Sequence, residues 1–230
     1  MKITFLGHAS FRIEIGDQIL LLDPWLTGNP VLGEDQHDAA TDGATHILLT
    51  HGHFDHSVDV LALSQKTGAP IVGMYDLVGY WEASQDAKVI GFNKGGTVQL
   101  GDVSVTMVTA MHSSSIGTDH GPMYAGAEAG FIIRGEGQVI YASGDTDVMA
   151  DMEVIADRYK PTIGILSAGG HFTMDMEGTA YACRRYFNFH TVIPCHYKTF
   201  PFLEQSAQVL IDAMPEIGVI EPEVMVAIEV

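Results

Sequence analysis

Three histidines and an aspartate fall within one short stretch, His51-Gly52-His53-Phe54-Asp55-His56. No other stretch of the chain restricts its fold so strongly. Such groups are costly to bury without partners and have no reason to gather on a surface, but together they suit a bound cation. The run before them, His46-Ile47-Leu48-Leu49, reads as a buried strand. A loop leaving the carboxyl end of a strand is anchored on one side, which places ligands reproducibly. On an extended segment His51 and His53 point the same way and can share one ion. Asp55 and His56 lie past the turn and can reach a second. Imidazole and carboxylate donors suit Zn²⁺, Fe or Mn²⁺. A polar loop that merely happens to be His-rich does not explain four donors at this spacing.

The H-x-H-x-D-H order resembles the signature of the metallo-β-lactamase superfamily of metal-dependent hydrolases. The resemblance implies three more ligands, a His, an Asp and a His, each after a strand. The chain offers them in that order. His112 follows the alternating run 103–108, Asp145 follows 138–142, and His196 follows 191–195. By this resemblance His51, His53 and His112 hold one cation. Asp55, His56 and His196 hold the other, and Asp145 bridges the two. The fold it implies is α/β, a four-layer αββα sandwich of two mixed β-sheets with helices on the outer faces. Residues 1–230 are expected to form one such hydrolase domain.

Further segments narrow the resemblance. Gly7-His8-Ala9-Ser10 and Leu22-Asp23-Pro24 look like the branch containing L-ascorbate-6-phosphate lactonase and the N-acylphosphatidylethanolamine phospholipase D group. Gly144-Asp145-Thr146, Gly169-Gly170-His171-Phe172-Thr173-Met174 and Pro194-Cys195-His196-Tyr197, with the stretch 119–130, resemble small bacterial hydrolases of that branch. One fold hosts many activities, so the substrate is left open.

The chemistry implied is attack by a metal-bridging hydroxide on a small ester, lactone or phosphodiester. Two divalent ions are expected, Zn²⁺ foremost, with Mn²⁺, Fe or Ni²⁺ also accepted by such donors. Asp55 or Asp145 would orient the hydroxide or take its proton. The alternative is a mononuclear-iron oxidoreductase like the persulfide dioxygenases, which keep the second motif histidine but use one iron. Retention of every second-site ligand argues for two ions. A true β-lactamase is disfavoured by the lack of a cysteine ligand, and a scaffold role by the completeness of the ligand set. Ser113-Ser114-Ser115 lacks the strained elbow of a serine hydrolase.

Other residues carry competing readings. His171 follows an apolar strand and a glycine pair. It can bind substrate, protonate a leaving group, or simply bond a loop carbonyl. His8 is a candidate to touch substrate or to orient a ligand carboxylate, or a packed turn histidine. Tyr197 can donate to a developing oxyanion or pack. Asp23 is a candidate partner for a ligand histidine. Cys183 and Cys195 read as core. His37, His46, His120 and His190 lack a ligand pattern.

Acidic residues number 29 against 11 basic ones, a formal net charge of -18. Such a field repels phosphate backbones, which argues against nucleic acid and for a small-molecule substrate. The chain shows no apolar stretch of spanning length and no signal-peptide pattern, and its two cysteines are too few for a disulfide framework. The expectation is a cytoplasmic protein without an integral membrane segment. Relatives are commonly oligomers, so self-association is expected as well.

The spacing predicts strands at 3–6, 11–15, 19–22, 70–73, 130–134, 138–142, 162–167 and 191–193, with more between 88 and 109. Helices are predicted at 57–66 with Ser57 as N-cap, 77–84, 148–158, 176–187 and 203–214. Loops are predicted at 27–43, long enough to suggest a function, and at 113–129, where the chain can cover the site together with Met123 and Tyr124.

Overall fold

The structure, a computed structural model, describes residues 1–230. The first half supplies strands β1 (Lys2–Gly7), β2 (Ser10–Ile15), β3 (Gln18–Leu22), β4 (His46–Leu49), β5 (Ile71–Met74) and β6 (Val89–Phe92). The second supplies β7 (Thr97–Leu100), β8 (Val103–Thr109), β9 (Ser115–Thr118), β10 (Gly121–Tyr124), β11 (Ala129–Gly135) and β12 (Gln138–Ala142). It continues with β13 (Ile163–Ser167), β14 (Thr191–Cys195), β15 (Gly218–Val219) and β16 (Ala227–Glu229). The helices are α1 (His37–Thr41), α2 (Phe54–Ser57), α3 (Val60–Thr67), α4 (Tyr75–Gln85), α5 (Asp151–Tyr159), α6 (Met176–Tyr186) and α7 (Gln208–Ala213).

Two seven-stranded sheets form, in the orders β16-β1-β2-β3-β4-β5-β6 and β15-β14-β13-β12-β11-β8-β7. Each is mixed. β1, β2 and β3 are antiparallel neighbours, and β3 to β6 run parallel. In the other sheet β8, β11 and β12 are antiparallel, and β12 to β15 are parallel. Side chains on these strands alternate between two cores, as strand geometry requires. In β11, Phe131 and Ile133 enter the larger core between the sheets, while Ile132 enters the one beneath α5, α6 and α7. The central strands bury both faces, which is why they read as continuous apolar runs rather than alternating ones. Each fully buried Leu, Ile or Phe in them contributes about 1.5–3 kcal/mol of transfer free energy. With α4 against β5 and β6, and α5 and α6 outside the second sheet, the layers are the expected αββα sandwich.

Several boundaries differ from the sequence reading. The helix predicted at 57–66 is split into α2 and α3. Ser57 does not cap a helix, because its hydroxyl bonds back to the Gly52 carbonyl at 2.8 Å. The carboxylate of Asp59, at the start of α3, is drawn away to the Leu26 and Thr27 amides and the Thr27 hydroxyl at 2.7–2.8 Å. The stretch 203–214 is helical only as α7, since Gln205 turns its amide onto the Phe200 and Leu203 carbonyls. The loop at 27–43 holds a 3₁₀ turn, Glu34–Gln36, and α1, and it does not reach the cavity described below. The predicted loop at 113–129 contains a hairpin of β9 and β10.

Candidate metal centre

The site forms where strands end. β4, β8, β12 and β14 each stop just before a ligand-type residue: His51, His112, Asp145 and His196. Several of these ends turn through backbone that side chains rarely adopt. His8 after β1, Asp23 after β3 and His196 after β14 have φ of 58°, 44° and 61°. His and Asp tolerate this left-handed region better than most residues. Each such residue costs on the order of 1–3 kcal/mol, which the surrounding bonds must offset. The turn stops the strand and swings the side chain into the crevice between the sheets.

There the donors converge. His51 Nε2 lies 3.0 Å from His53 Nδ1, which lies 3.3 Å from His112 Nε2. Ligand atoms about 2.0–2.1 Å from a tetrahedral ion are separated by roughly 3.3 Å, so these nitrogens sit as edges of a coordination polyhedron would. On the other side, Asp55 Oδ2 is 3.6 Å from His196 Nε2 and 4.0 Å from His56 Nε2. Asp145 Oδ2 lies between the two groups, 3.0 Å from His196 Nε2, 3.4 Å from His56 Nε2, 3.6 Å from His112 Nε2 and 3.9 Å from His51 Nε2. His56 Nε2 and Asp145 Oδ1 are buried and have no hydrogen-bond partner. Buried donors and acceptors are normally satisfied, so these orphaned atoms fit a cation as the missing partner.

Outer bonds hold the rings. His56 Nδ1 meets Asp23 Oδ2 at 2.9 Å, and Asp23 is itself fixed by the Thr50 amide at 2.8 Å and the Thr50 hydroxyl at 2.6 Å. His51 Nδ1 is 3.0 Å from the Thr50 hydroxyl. These contacts leave Nε2 of both rings free to face the cluster. The Ser114 hydroxyl accepts from the Gly52 amide, tying the histidine loop to the hairpin segment.

Charge divides the cluster. Burial lowers His56, but the charges of Asp145, Asp23 and Asp55 outweigh it and hold this residue well above its ordinary value. For His196, burial is likewise outweighed by Asp145 and by hydrogen bonds to Asp145 and Asp55, and its pKa is pushed up to about 9. Burial alone would raise both carboxylates, yet the histidines keep Asp145 well below its normal range and lower Asp55 too. His51 is lowered by burial and by the charge on His56. His53 is lowered by burial and by His112, and His112 itself chiefly by burial. The neutral His51, His53 and His112 are ready to ligate, whereas His56 and His196 must give up protons first.

The remaining candidates lie elsewhere. His8 is fully buried and does not line the cavity, so it is not placed to touch substrate. Its Nδ1 faces the Thr199 hydroxyl at 2.5 Å and its Nε2 meets Asp55 Oδ2 at 2.9 Å. Burial lowers its pKa to about 4, so the ring is neutral and its Nε2–H donates to Asp55. Tyr197 likewise is buried and does not line the cavity. Ile193 and Cys195 face the larger core, so plain alternation would send Tyr197 there too. The left-handed turn at His196 (φ 61°) breaks the alternation, and Tyr197 is buried in the core beneath α5, α6 and α7. His171 (φ 55°) is exposed near the rim, its ring 4.5 Å from Phe172 and 4.9 Å from Phe202. Cys195 lies in the core between the sheets and Cys183 in the other. Burial pushes the Cys183 thiol up to about 12 and holds Cys195 well above its usual value, so neither is a nucleophile at neutral pH. His37, His46, His120 and His190 are away from the cluster.

A cavity of about 620 Å³ opens in front of the cluster. His53, Asp55, His112, Asp145 and His196 form its floor. The β9–β10 hairpin lines one side through Ser115, Gly117, Thr118, Gly121 and Pro122, as the covering role expected of 113–129 requires. Met123 and Tyr124 instead face a separate crevice beside α4. Sequence reading missed Thr199, Ser114, Phe54 and Phe172. An aromatic directly beside a ligand or a rim histidine, as Phe54 and Phe172 are, was the one available signal.

Comparison with known proteins identifies the family. The family described as "Beta-lactamase superfamily domain" matches residues 2–196. A UPF0173 metal-dependent hydrolase of Dinoroseobacter shibae is 68% identical over 229 residues, covering 100% of both chains. Another, of Roseobacter denitrificans, is 66% identical over 229 residues and covers 99% of both. Among solved structures, Igni18, a novel metallo hydrolase from the hyperthermophilic archaeon Ignicoccus hospitalis, is similar with a TM-score of 0.85 at 29% identity. That likeness covers 100% of this chain and 98% of the other.

Proposed function

Because this chain belongs to the β-lactamase superfamily domain family and is a metal-dependent hydrolase, we propose that it holds two divalent cations and cleaves a small ester, lactone or phosphodiester, acting as one domain. The observation that carries this reading is the position of Asp145 Oδ2, within 3.0–3.9 Å of histidine nitrogens from both donor groups. His51, His53 and His112 would hold one ion, and Asp55, His56 and His196 the other, with Asp145 shared. Zn²⁺ is the first candidate, and Mn²⁺, Fe and Ni²⁺ also suit the donor set. Divalent ions, once bound, would lower the pKa of a bound water and polarise the substrate oxygen.

The protein's own groups do the rest. Asp55 or Asp145 orients the attacking water and accepts its proton. His8 keeps Asp55 turned inward, since its Nε2–H donates to Oδ2 at 2.9 Å. The hairpin forms one wall of the cavity. His171 does not itself line the cavity, but its ring lies 4.5 Å from the lining residue Phe172, and it is the group offered to protonate what departs. The acidity of the chain, -18 overall, favours a small molecule over nucleic acid.

The test is turnover by protein loaded separately with Zn²⁺ and Mn²⁺, using a chromogenic phosphodiester and a lactone panel. Activity that disappears in Asp145→Ala, with two ions per chain by elemental analysis, is the expected result. A single tightly held iron, with oxygen consumed in the presence of a persulfide, would move the protein to the oxidoreductase reading.

A further inference from the structure

The cavity walls differ in chemistry from its floor. Thirteen residues line it and none is lysine or arginine. Its carboxylates, Asp55 and Asp145, already belong to the donor cluster. The other polar groups on the walls are neutral hydroxyls, those of Ser113, Ser115 and Thr118. A phosphate-bearing substrate normally meets guanidinium or ammonium groups that share its charge. Beyond the cations proposed for the floor, which would face the reacting group, no side chain of that kind stands on the walls to meet a second, anionic group, and the chain around it is strongly acidic.

What the walls do offer is aromatic surface. Phe54 and Phe172 line the cavity, yet they are 60% and 53% exposed. Exposed apolar surface gathered around a polar centre marks a binding site. Behind these rings runs a continuous aromatic rib. Phe54 meets Trp25 edge-on at 5.7 Å, and Trp25 stacks on Phe200 at 5.8 Å. Phe200 stacks on Phe202 at 5.4 Å, and Phe202 meets Phe172 edge-on at 5.7 Å. The rib backs both cavity rings and limits their motion. Phe54 is pinned further because its neighbours, His53 and Asp55, are donors to the cluster. Phe172 sits in a tight turn whose amide reaches the Gly170 carbonyl.

We propose that the substrate is an uncharged carboxylic ester or lactone whose apolar, planar group packs between Phe54 and Phe172, and that phosphorylated substrates are rejected. This rests on the hydrolytic reading above and narrows it. The reaction balances as one water consumed: its oxygen bonds to the acyl carbon and the acyl carbon–oxygen bond breaks. The departing alkoxide takes one of the water's protons, and the acid leaves as a carboxylate with release of the other. The product acquires a negative charge that the substrate lacks, so the same acidic surroundings that admit a neutral ester favour release of the acid.

The test uses the cation-loaded protein with three acetate esters: ethyl acetate, benzyl acetate and 2-phosphoethyl acetate. Expected is a kcat/KM for benzyl acetate on the order of tenfold above that for ethyl acetate, with 2-phosphoethyl acetate below both. Phe54→Ala and Phe172→Ala bring the benzyl-to-ethyl ratio toward one through KM. Independently of turnover, calorimetric binding of N-benzylacetamide, a neutral isostere that is not readily cleaved, weakens at least about fivefold in the same variants. Equal or faster cleavage of 2-phosphoethyl acetate, with amide binding untouched by the substitutions, overturns this inference and leaves the hydrolytic reading standing. Failure to cleave any ester, and the chromogenic phosphodiester too, overturns the hydrolytic reading and this inference with it.

Discussion

The amide of His196 donates to the carbonyl of His8 at 2.7 Å, joining the end of β14 in one sheet to the end of β1 in the other. The two sheets are thus tied at the donor cluster by main chain, and the side chains on either side of that tie face the same crevice. The His8 and His196 rings lie 4.0 Å apart, and both side chains approach Asp55 Oδ2. Positions at this cluster therefore couple cation binding to the packing of the whole sandwich.

Substituting His8→Ala keeps the backbone tie but strips Asp55 and Thr199 of a partner and puts alanine at a φ of 58°. A loss of about 1–3 kcal/mol is expected. Urea unfolding of chelator-treated protein checks it. The midpoint should fall with the slope unchanged, and an unshifted midpoint would mean that His8 bears no load.

Asp23→Asn should act on a cation the residue never touches. It removes the charge that holds His56 Nδ1 at 2.9 Å. Outer partners of this kind are worth about 10–100-fold in affinity. Competition with a fluorescent chelator should show one ion weakened by that factor and the other nearly unaffected. Equal weakening of both would place Asp23 outside the His56 corner.

The pH dependence has two opposing parts. His196, at about 9, lies above its ordinary value near 6.5. In chelated protein the stability this contributes is fully present below about pH 6.5 and is lost as pH rises through 9, by up to roughly 3 kcal/mol. The depressed carboxylates Asp55 and Asp145 contribute stability above the usual carboxylate range, so their share is constant across that window. Cation binding runs the other way: the His56–His196 corner must release protons, so its affinity rises with pH. The His51–His53–His112 corner is already neutral and changes little. His8, His51, His53 and His112, all lowered, add stability as pH rises only up to about 7.5. Unfolding curves from about pH 7.5 to 9.5 and calorimetry in buffers of different ionisation enthalpy therefore test both. Chelated protein that gains stability over this range would refute the assignment.

Gly169→Ala tests the close approach of chain segments beneath the site. A Cβ there falls 1.9 Å from the His196 carbonyl oxygen, so backbone must move. Destabilisation of about 1–3 kcal/mol or more is expected, with reduced cation content, because His196 shifts with its carbonyl. A fully loaded variant of normal stability would show that the segment is more yielding than its packing indicates.

Much of the donor set was legible because it is local. His51, His53, Asp55 and His56 lie in one six-residue stretch, and His112, Asp145 and His196 each follow an apolar run that reads as a strand. The resemblance then supplied the pairing into two groups, and the distances around Asp145 are consistent with it. Asp23 was readable as a partner for a ligand histidine because it ends a strand beside a proline. His8 and Tyr197, next to strand ends, each allow substrate contact or a supporting role by sequence; in the structure His8 bonds Asp55 and Tyr197 packs in a core. Sequence alone does not tell which way a strand-end residue turns. A positive φ at His8 places its ring behind Asp55, and a positive φ at His196 breaks the alternation of β14 and sends Tyr197 to the opposite core from Cys195.

By itself, then, the sequence indicated most of the central strands and the candidate donors with their order, since these depend on local periodicity and on short segments. Only the tertiary structure decided which bonds orient those donors and what the cavity prefers. The His8–Thr199 contact joins residues 191 positions apart. The aromatic rib from Phe54 through Trp25, Phe200 and Phe202 to Phe172 is assembled from separate loops. Such contacts exist only once two sheets have packed face to face and brought their strand ends to one edge, and no short-range pattern in the chain encodes that packing.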